Sequence, residues 1–246
     1  MTAEEDASAA DRRARVLTRA AEEDELGAAV GLFEGTWGAG RSPDRALLLA
    51  ATAAGCPVVL ALDGSAPVGA TFAFGGTGGG LHWHSHMAAI APAFRGRGAG
   101  LALKLRQRAV ALALDVPEIR WTFDPLIRRN ATLNLVRLGA SAARFLPDFY
   151  GSLGDAVNGD DATDRLEVSW RLESARVTEA LAGRPRRWSG SGRLPLPDDF
   201  ERLRADDPPA AATLREQSRQ ALEGAFASGL RPELDGDGYV FTEEPT

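Results

Sequence analysis

The stretch that most constrains this chain is Ile90 to Gln107, IAPAFRGRGAGLALKLRQ. Gly96, Gly98 and Gly100 alternate with Arg95, Arg97 and Ala99 at the threshold of a helix-like segment. Glycine inside a helix costs roughly 1 kcal/mol relative to alanine, so three of them beside two arginines call for a reason. A strand-like run, LHWHSHMAAI, comes before the loop. After the helix, EIRWTFD alternates, with Ile119, Trp121 and Phe123 on one side and Arg120, Thr122 and Asp124 on the other. A strand–helix–strand unit over Ile90 to Asp124 implies a parallel pair with a right-handed crossover.

The flanks read as further strands and helices. Leu26, Val30 and Phe33 stand at helical spacing between Glu22 and Trp37, with acids in the first turn. SPDRALLLAATAAG gives a second helix, with Ser42 as N-cap, Pro43 at its first position and Gly55 as terminator. PVVLALDGSAPVGATFAF holds two strands split by an Asp-Gly turn, so the early strands pair as antiparallel hairpins. On the helix after the loop, Leu101, Leu105, Ala109 and Leu112 form the expected apolar face. RRNATLNLVRLGA reads as a helix closed by Gly139, and ARFLPDFYG and DRLEVSWRL read as strands. From Arg176 the chain is loop-rich, with a helix expected from about Pro209 to Ser228 and a strand at GYVFT.

These readings divide the chain into a frayed, charged tail over 1–15, a main α/β domain over 16–175 and a C-terminal extension over 176–246. The net charge is −6 and Lys104 is the one lysine, so a general nucleic-acid partner is not expected. The apolar run from Ala46 to Leu62 is broken by Gly55 and Pro57 and is shorter than the ~20 residues of a membrane span, so no membrane anchor is expected. Cys56 stands alone. It can form no internal disulfide and fits a reducing, cytoplasmic setting. MTAEEDASAADRRAR has no apolar core and is not a secretory signal.

Two readings of the glycine–arginine loop stay open. One is a strand-to-helix turn that happens to be rich in glycine. The other is an anion cradle: glycines let backbone N–H groups approach a phosphate, the first helical turn has unpaired donors, and the arginines add charge. A dinucleotide-binding fingerprint fails because Leu101 follows Gly96-x-Gly98-x-x. A Walker loop fails for want of Gly-Lys-Ser/Thr. RGRGAG resembles the Q/R-x-x-G-x-G/A signature of the GNAT superfamily of N-acetyltransferases, with Arg95, Gly98 and Gly100 at its defined positions. The order of elements from Glu22 to about Leu172 is also similar to that family's.

The resemblance implies a mixed central sheet with two splayed parallel strands, flanked by helices. It implies that acetyl-CoA enters as a co-substrate. Its diphosphate would lie on Arg95, Gly96, Arg97, Gly98, Ala99 and Gly100, and its pantetheine arm beside the strand end at Ala89 and Ile90. Members often have an asparagine on the next helix that touches the arm. Asn130 and Asn134 are the candidates, with an N-cap role equally open for Asn130. The tyrosine that many members use as an acid falls at Leu135, so that role is vacant or filled elsewhere.

The three histidines, His82, His84 and His86, alternate along one strand and are expected on one face. With no cysteine or carboxylate on that strand, no metal site is expected. An imidazole suits removal of a proton from an amine near neutral pH. His84 is the first choice for base and His86 the second. Tyr150 is a candidate acid with Asp148 as its orienter, or else a core aromatic. Asp124 would bind a substrate amine or cap the following turn, and Trp37 would line the acceptor pocket.

The expected function is transfer of acetyl from acetyl-CoA to a primary amine of a small molecule or peptide by direct attack. The alternatives are a non-catalytic acyl-CoA sensor, and a transferase of longer acyl groups or to oxygen. The extension would cover the acceptor cleft or join two copies of the chain in a homodimer.

Overall fold

The computed structural model describes residues 2–155, 157–159 and 161–243. Met1 and residues 244–246, which end the expected tail and extension, lie outside the described residues. Two compact units share the chain. The first runs to Arg120 and includes Asp155 and Val157, and the second begins at Trp121 and takes most of the remainder.

The first unit opens with α1 (Ala3–Ala14), β1 (Leu17–Ala20), α2 (Leu26–Trp37) and α3 (Arg45–Ala53), and continues with β2 (Val59–Asp63), β3 (Ala66–Gly76), β4 (His82–Ile90) and α4 (Ala99–Ala113). It also contains the start of β5 (Glu118–Phe123). Its strands run β1-β2-β3-β4-β5. The hairpins β1–β2, β2–β3 and β3–β4 are antiparallel, and β4 pairs with β5 in parallel through Trp83↔Ile119 and His84↔Arg120.

Alternation along β2 shows how the sheet is covered. Val58, Leu60 and Leu62 pack with Leu26, Ala29 and Phe33 of α2 and Leu48 of α3. Val59 and Ala61 turn the other way, with Val68 and Leu103 of α4. Burying both faces in this way is the arrangement of a layered α/β unit.

Residues 1–15 were expected as a frayed tail, but 3–14 form α1, which packs along α4. Thr2 and Glu5 close a capping box at its start. Asp6 bonds Arg108 at 3.1 Å, and Asp11 accepts from the Thr18 amide at 3.0 Å and the Thr18 hydroxyl at 2.7 Å. This cover changes which side of α4 is buried. Ala102, Leu103, Lys104, Leu105, Gln107, Arg108 and Ala111 are inside, whereas of the expected face only Leu105 is fully so. The N-cap of α3 is Asp44, which accepts from the Leu47 amide at 2.8 Å, in place of Ser42.

The second unit contains the end of β5, α5 (Arg128–Ala131) with a π-helical continuation over Thr132–Arg137, β6 (Ser141–Leu146), β7 (Arg165–Arg171) and α6 (Ala175–Leu181). It ends with β8 (Ser191–Pro195), α7 (Phe200–Asp206), α8 (Pro208–Ala227), β9 (Leu230–Asp235) and β10 (Gly238–Glu243). The order here is β5-β7-β6, with a separate antiparallel sheet β8-β10-β9. Trp121 and Trp170 meet edge to face at 5.9 Å in its interior. Among the described residues no helix is long and apolar enough to cross a membrane.

Candidate functional site

The loop from Arg95 to Gly98 turns the chain from the end of β4 into α4. Gly98 is the N-cap, with φ of 95° and no side-chain cap. That left-handed conformation suits glycine and strains other residues. The Gly98 carbonyl accepts from Ala102 at 3.0 Å. The amides of the first turn of α4, which follow it, lack intrahelical partners, as at any helix start. No acidic side chain sits in this turn. A Cβ built at Gly96 or Gly100 meets nothing within 4 Å, so the loop surface is open at both positions. Arg95 donates from Nε to the Ile90 carbonyl at 3.1 Å, and Arg97 lies over the Phe94 ring at 5.1 Å. The residues present therefore fit an anionic ligand: open backbone, a helix N-terminus and two exposed arginines.

β4 is not a regular strand. Its pairing with β3 passes from Phe72↔Met87 to Ala73↔Ser85, which leaves His86 as an extra residue. A bulge of this kind shifts the side-chain alternation by one. Ser85 accordingly points to α4, whereas Met87 and Ala89 belong to the core beneath α2. Ile90 lies with the core beneath α4.

The histidines divide by their contacts with the β3–β4 hairpin. His82 is buried against Gly76, where a Cβ would fall 2.5 Å from its Nε2, and its Nδ1 is 2.8 Å from the Gly80 carbonyl oxygen. It serves the hairpin. The rings of His84 and His86 are 6.2 Å apart, and both lie against Phe74, at 5.1 and 5.9 Å. Desolvation lowers the His86 pKa below its ordinary value, although the residue reaches solvent. Among the described residues no group of three or more His, Cys, Asp or Glu is placed to hold a metal ion. Cys56 is buried, and that burial raises its thiol pKa, the opposite of an activated nucleophile. Trp37 packs half-buried against Phe33, with ring centroids 6.3 Å apart.

In the second unit, the N-cap reading of Asn130 does not hold: Ile127 is the N-cap, and Asn130 lies inside α5. Asn134 is buried in the π-helical turn, whose larger number of residues per turn alters the one-face spacing expected of the two asparagines. Leu135 is core. Tyr150 is 37% exposed, which excludes the core-aromatic reading. Its hydroxyl lies 3.2 Å from Thr122 Oγ1. Asp148 does not orient it. The Asp148 carboxylate instead accepts from the Thr163 amide at 3.0 Å. Asp124 is bound by Arg215 through both oxygens, at 2.8 and 2.7 Å, and also accepts from the Leu126 amide at 2.9 Å. The turn-capping reading is the one observed, and the carboxylate is spent on an arginine where an amine was expected.

Sequence reasoning missed the bulge, the role of Phe74, and the buried Lys104, Ser85, Gln107 and Thr71 around it. The only signal available was a lone lysine inside the apolar helix.

No known family's sequence profile matches the chain, and no curated protein matches it by sequence. Solved structures do match by shape. The Salmonella typhimurium protein yncA, solved with its cofactor acetyl-CoA, superimposes with a TM-score of 0.52 at 16% identity, over 65% of this chain and 95% of that one. A ribosomal-protein-alanine N-acetyltransferase from Brucella melitensis gives 0.52 at 19% identity, over 62% and 98%. The ribosomal-protein-S18-alanine N-acetyltransferase of Escherichia coli gives 0.52 at 12%, over 65% and 96%. This chain has the GNAT acetyltransferase fold. The likeness takes in nearly the whole of each of these neighbours, and about a third of this chain lies outside it. The open glycine–arginine loop and the bulged histidine strand both lie in the first unit.

Proposed function

We propose that this protein is an acyl-CoA-dependent N-acetyltransferase that moves acetyl from acetyl-CoA to a primary amine of a small molecule or peptide. The observation that carries this reading is the loop at Arg95–Gly100, an open, positively charged helix start on a fold shared with acetyltransferases. Its amides and arginines would take the diphosphate of the co-substrate. The pantetheine arm would follow the end of β4 at Ala89 and Ile90. That two neighbours are named for acetylating an alanine of a ribosomal protein supports an amine acceptor.

The chemistry asked of the side chains is small. The neutral amine attacks the thioester carbonyl, the C–S bond breaks, and coenzyme A leaves as the thiolate. One amine proton passes to an imidazole, which loses it to water, and the thiolate takes a proton from a separate acid. His84 takes the amine proton, beside a His86 whose lowered pKa favours its neutral form. A neutral neighbour raises no charge repulsion against a protonated His84. General-base help of this kind is worth roughly 10²–10⁴-fold. In the second unit we carry Tyr150 forward as the acid, and Asn130 and Asn134 as cofactor contacts. We place the transferase chemistry in residues 16–175 and the extension over 176–246 as an accessory to it.

The test is thiol release from acetyl-CoA against a panel of amines, including peptides with free N-termini. Amine-dependent release supports the transferase. Saturable binding of acetyl-CoA without turnover would make the protein a sensor, and a preference for longer acyl-CoA would change the donor.

A further inference from the structure

We propose that Lys104 is a positioning residue whose buried polar network clamps the β4 bulge and so fixes the His84–His86 pair. The inference rests on the acyl-transfer reading above for its functional consequence, but the clamp itself is geometric.

A bulge bends its strand and leaves one residue out of the ladder. Here the residues on both sides of His86 are tied down. Before it, Ser85 Oγ accepts from Lys104 Nζ at 2.7 Å. After it, the Met87 carbonyl accepts from Thr71 Oγ1 at 2.8 Å. Gln107 joins the two arms through longer contacts of 3.4 Å, its Nε2 donating to Thr71 Oγ1 and its Oε1 accepting from Lys104 Nζ. Thr71, Ser85, Lys104 and Gln107 are all buried. Four polar side chains that satisfy one another inside a core define a single arrangement of the backbone they hold.

Stability alone does not account for the lysine. An apolar side chain of similar volume commonly serves a core as well or better than a buried ammonium. Complete desolvation brings the Lys104 pKa down to about 7. The chain nevertheless places its one lysine here, and other cationic positions are arginine. Arginine's planar fork is bulkier and keeps its charge, whereas lysine offers a compact donor.

Position on the helix gives the clamp its meaning. Lys104 and Gln107 are on α4, whose first turn is the glycine–arginine loop. Lys104 lies five residues after Ala99, about one and a half turns along. A single rigid element thus carries the phosphate-facing amides at its start and the grip on the bulge just beyond. It sets the distance between the place where the donor is held and the imidazoles.

The three histidines make this measurable by their imidazole Cε1–H signals in solution NMR. Lys104→Met keeps the bulk and removes the donor. We expect a cooperatively folded protein whose His84 and His86 signals shift, with the His86 titration midpoint moving toward the ordinary imidazole value. The His82 signal, set by Gly80, should stay. Under the transferase reading, kcat falls about tenfold or more, and KM for acetyl-CoA stays within about twofold because the loop is untouched. Unchanged His84 and His86 signals together with unchanged kcat would overturn the proposal. Should Lys104→Met fail to fold, Ser85→Ala removes one arm of the clamp with little change in volume and is read by the same two outcomes. If the wild type shows no acyl transfer, the functional reading fails, and the imidazole shifts still decide the clamp.

Discussion

The imidazole pair works as a base only while it is uncharged, so its surroundings set the pH range of the reaction. Desolvation by the rings around it lowers the His86 pKa. A lowered imidazole pKa means that the neutral form persists to more acid pH. The His86 imidazole signal should therefore titrate with a midpoint below the ordinary value of about 6.5, so that this ring is neutral at neutral pH and gains charge only as pH falls through the lowered pKa. His84→Ala should cut turnover at pH 7 by roughly 10²-fold or more and leave acetyl-CoA affinity within about twofold. A pH–rate profile and a binding isotherm on the same variant check both. Turnover equal to wild type would remove His84 from the chemistry. The alternation of His82, His84 and His86 was legible from spacing. Their division into one hairpin residue and one ring pair was not, because it depends on contacts of His82 with Gly76 and Gly80 and of the other two with Phe74, which no local pattern reveals.

At the scale of elements, helices and strands with apolar periodicity were legible, and α1 was not. Its buried side offers only Ala7, Ala10 and Ala14 among apolar residues, too small to stand out as a hydrophobic stripe. The clue it did carry was Thr2 followed three residues later by Glu5, the pattern of a capping box. Polar contacts add to those alanines in binding α1 to the rest. Asp11 accepts two hydrogen bonds from Thr18, at 3.0 and 2.7 Å, and lies 3.5 Å from Arg106. Asp11→Ala leaves those donors unsatisfied in a buried place and should cost about 2–3 kcal/mol, read as a shift in the urea midpoint at constant slope. A loss under about 0.5 kcal/mol, the range of ordinary surface changes, would mean that α1 is held loosely after all. The pairing of Asp124 with Arg215 was equally hidden, since 91 residues separate the partners and neither lies in a recognisable motif. The sequence marked Asp124 as available because its claimant comes from α8.

For the molecule as a whole, the account depends on the helix start at Gly98 being a phosphate site, and one glycine there separates folding from binding. Gly100 lies in the first turn of α4, with nothing within 4 Å of a built Cβ, and its φ is not in the left-handed range. Replacing it should leave the fold intact, since glycine is a poorer helix former than leucine. A large side chain would at the same time fill the space where the ligand must approach the amides. Gly98 is the less clean probe, because any other residue at its φ of 95° adds strain of about 1–3 kcal/mol. The deciding measurement is calorimetric titration of acetyl-CoA into the wild type and Gly100→Leu, with thermal melting of both. The account predicts saturable binding to the wild type and at least tenfold weaker binding to Gly100→Leu, whose melting temperature is unchanged or higher. Equal binding by the two proteins, or no heat from the wild type at millimolar ligand, would contradict it.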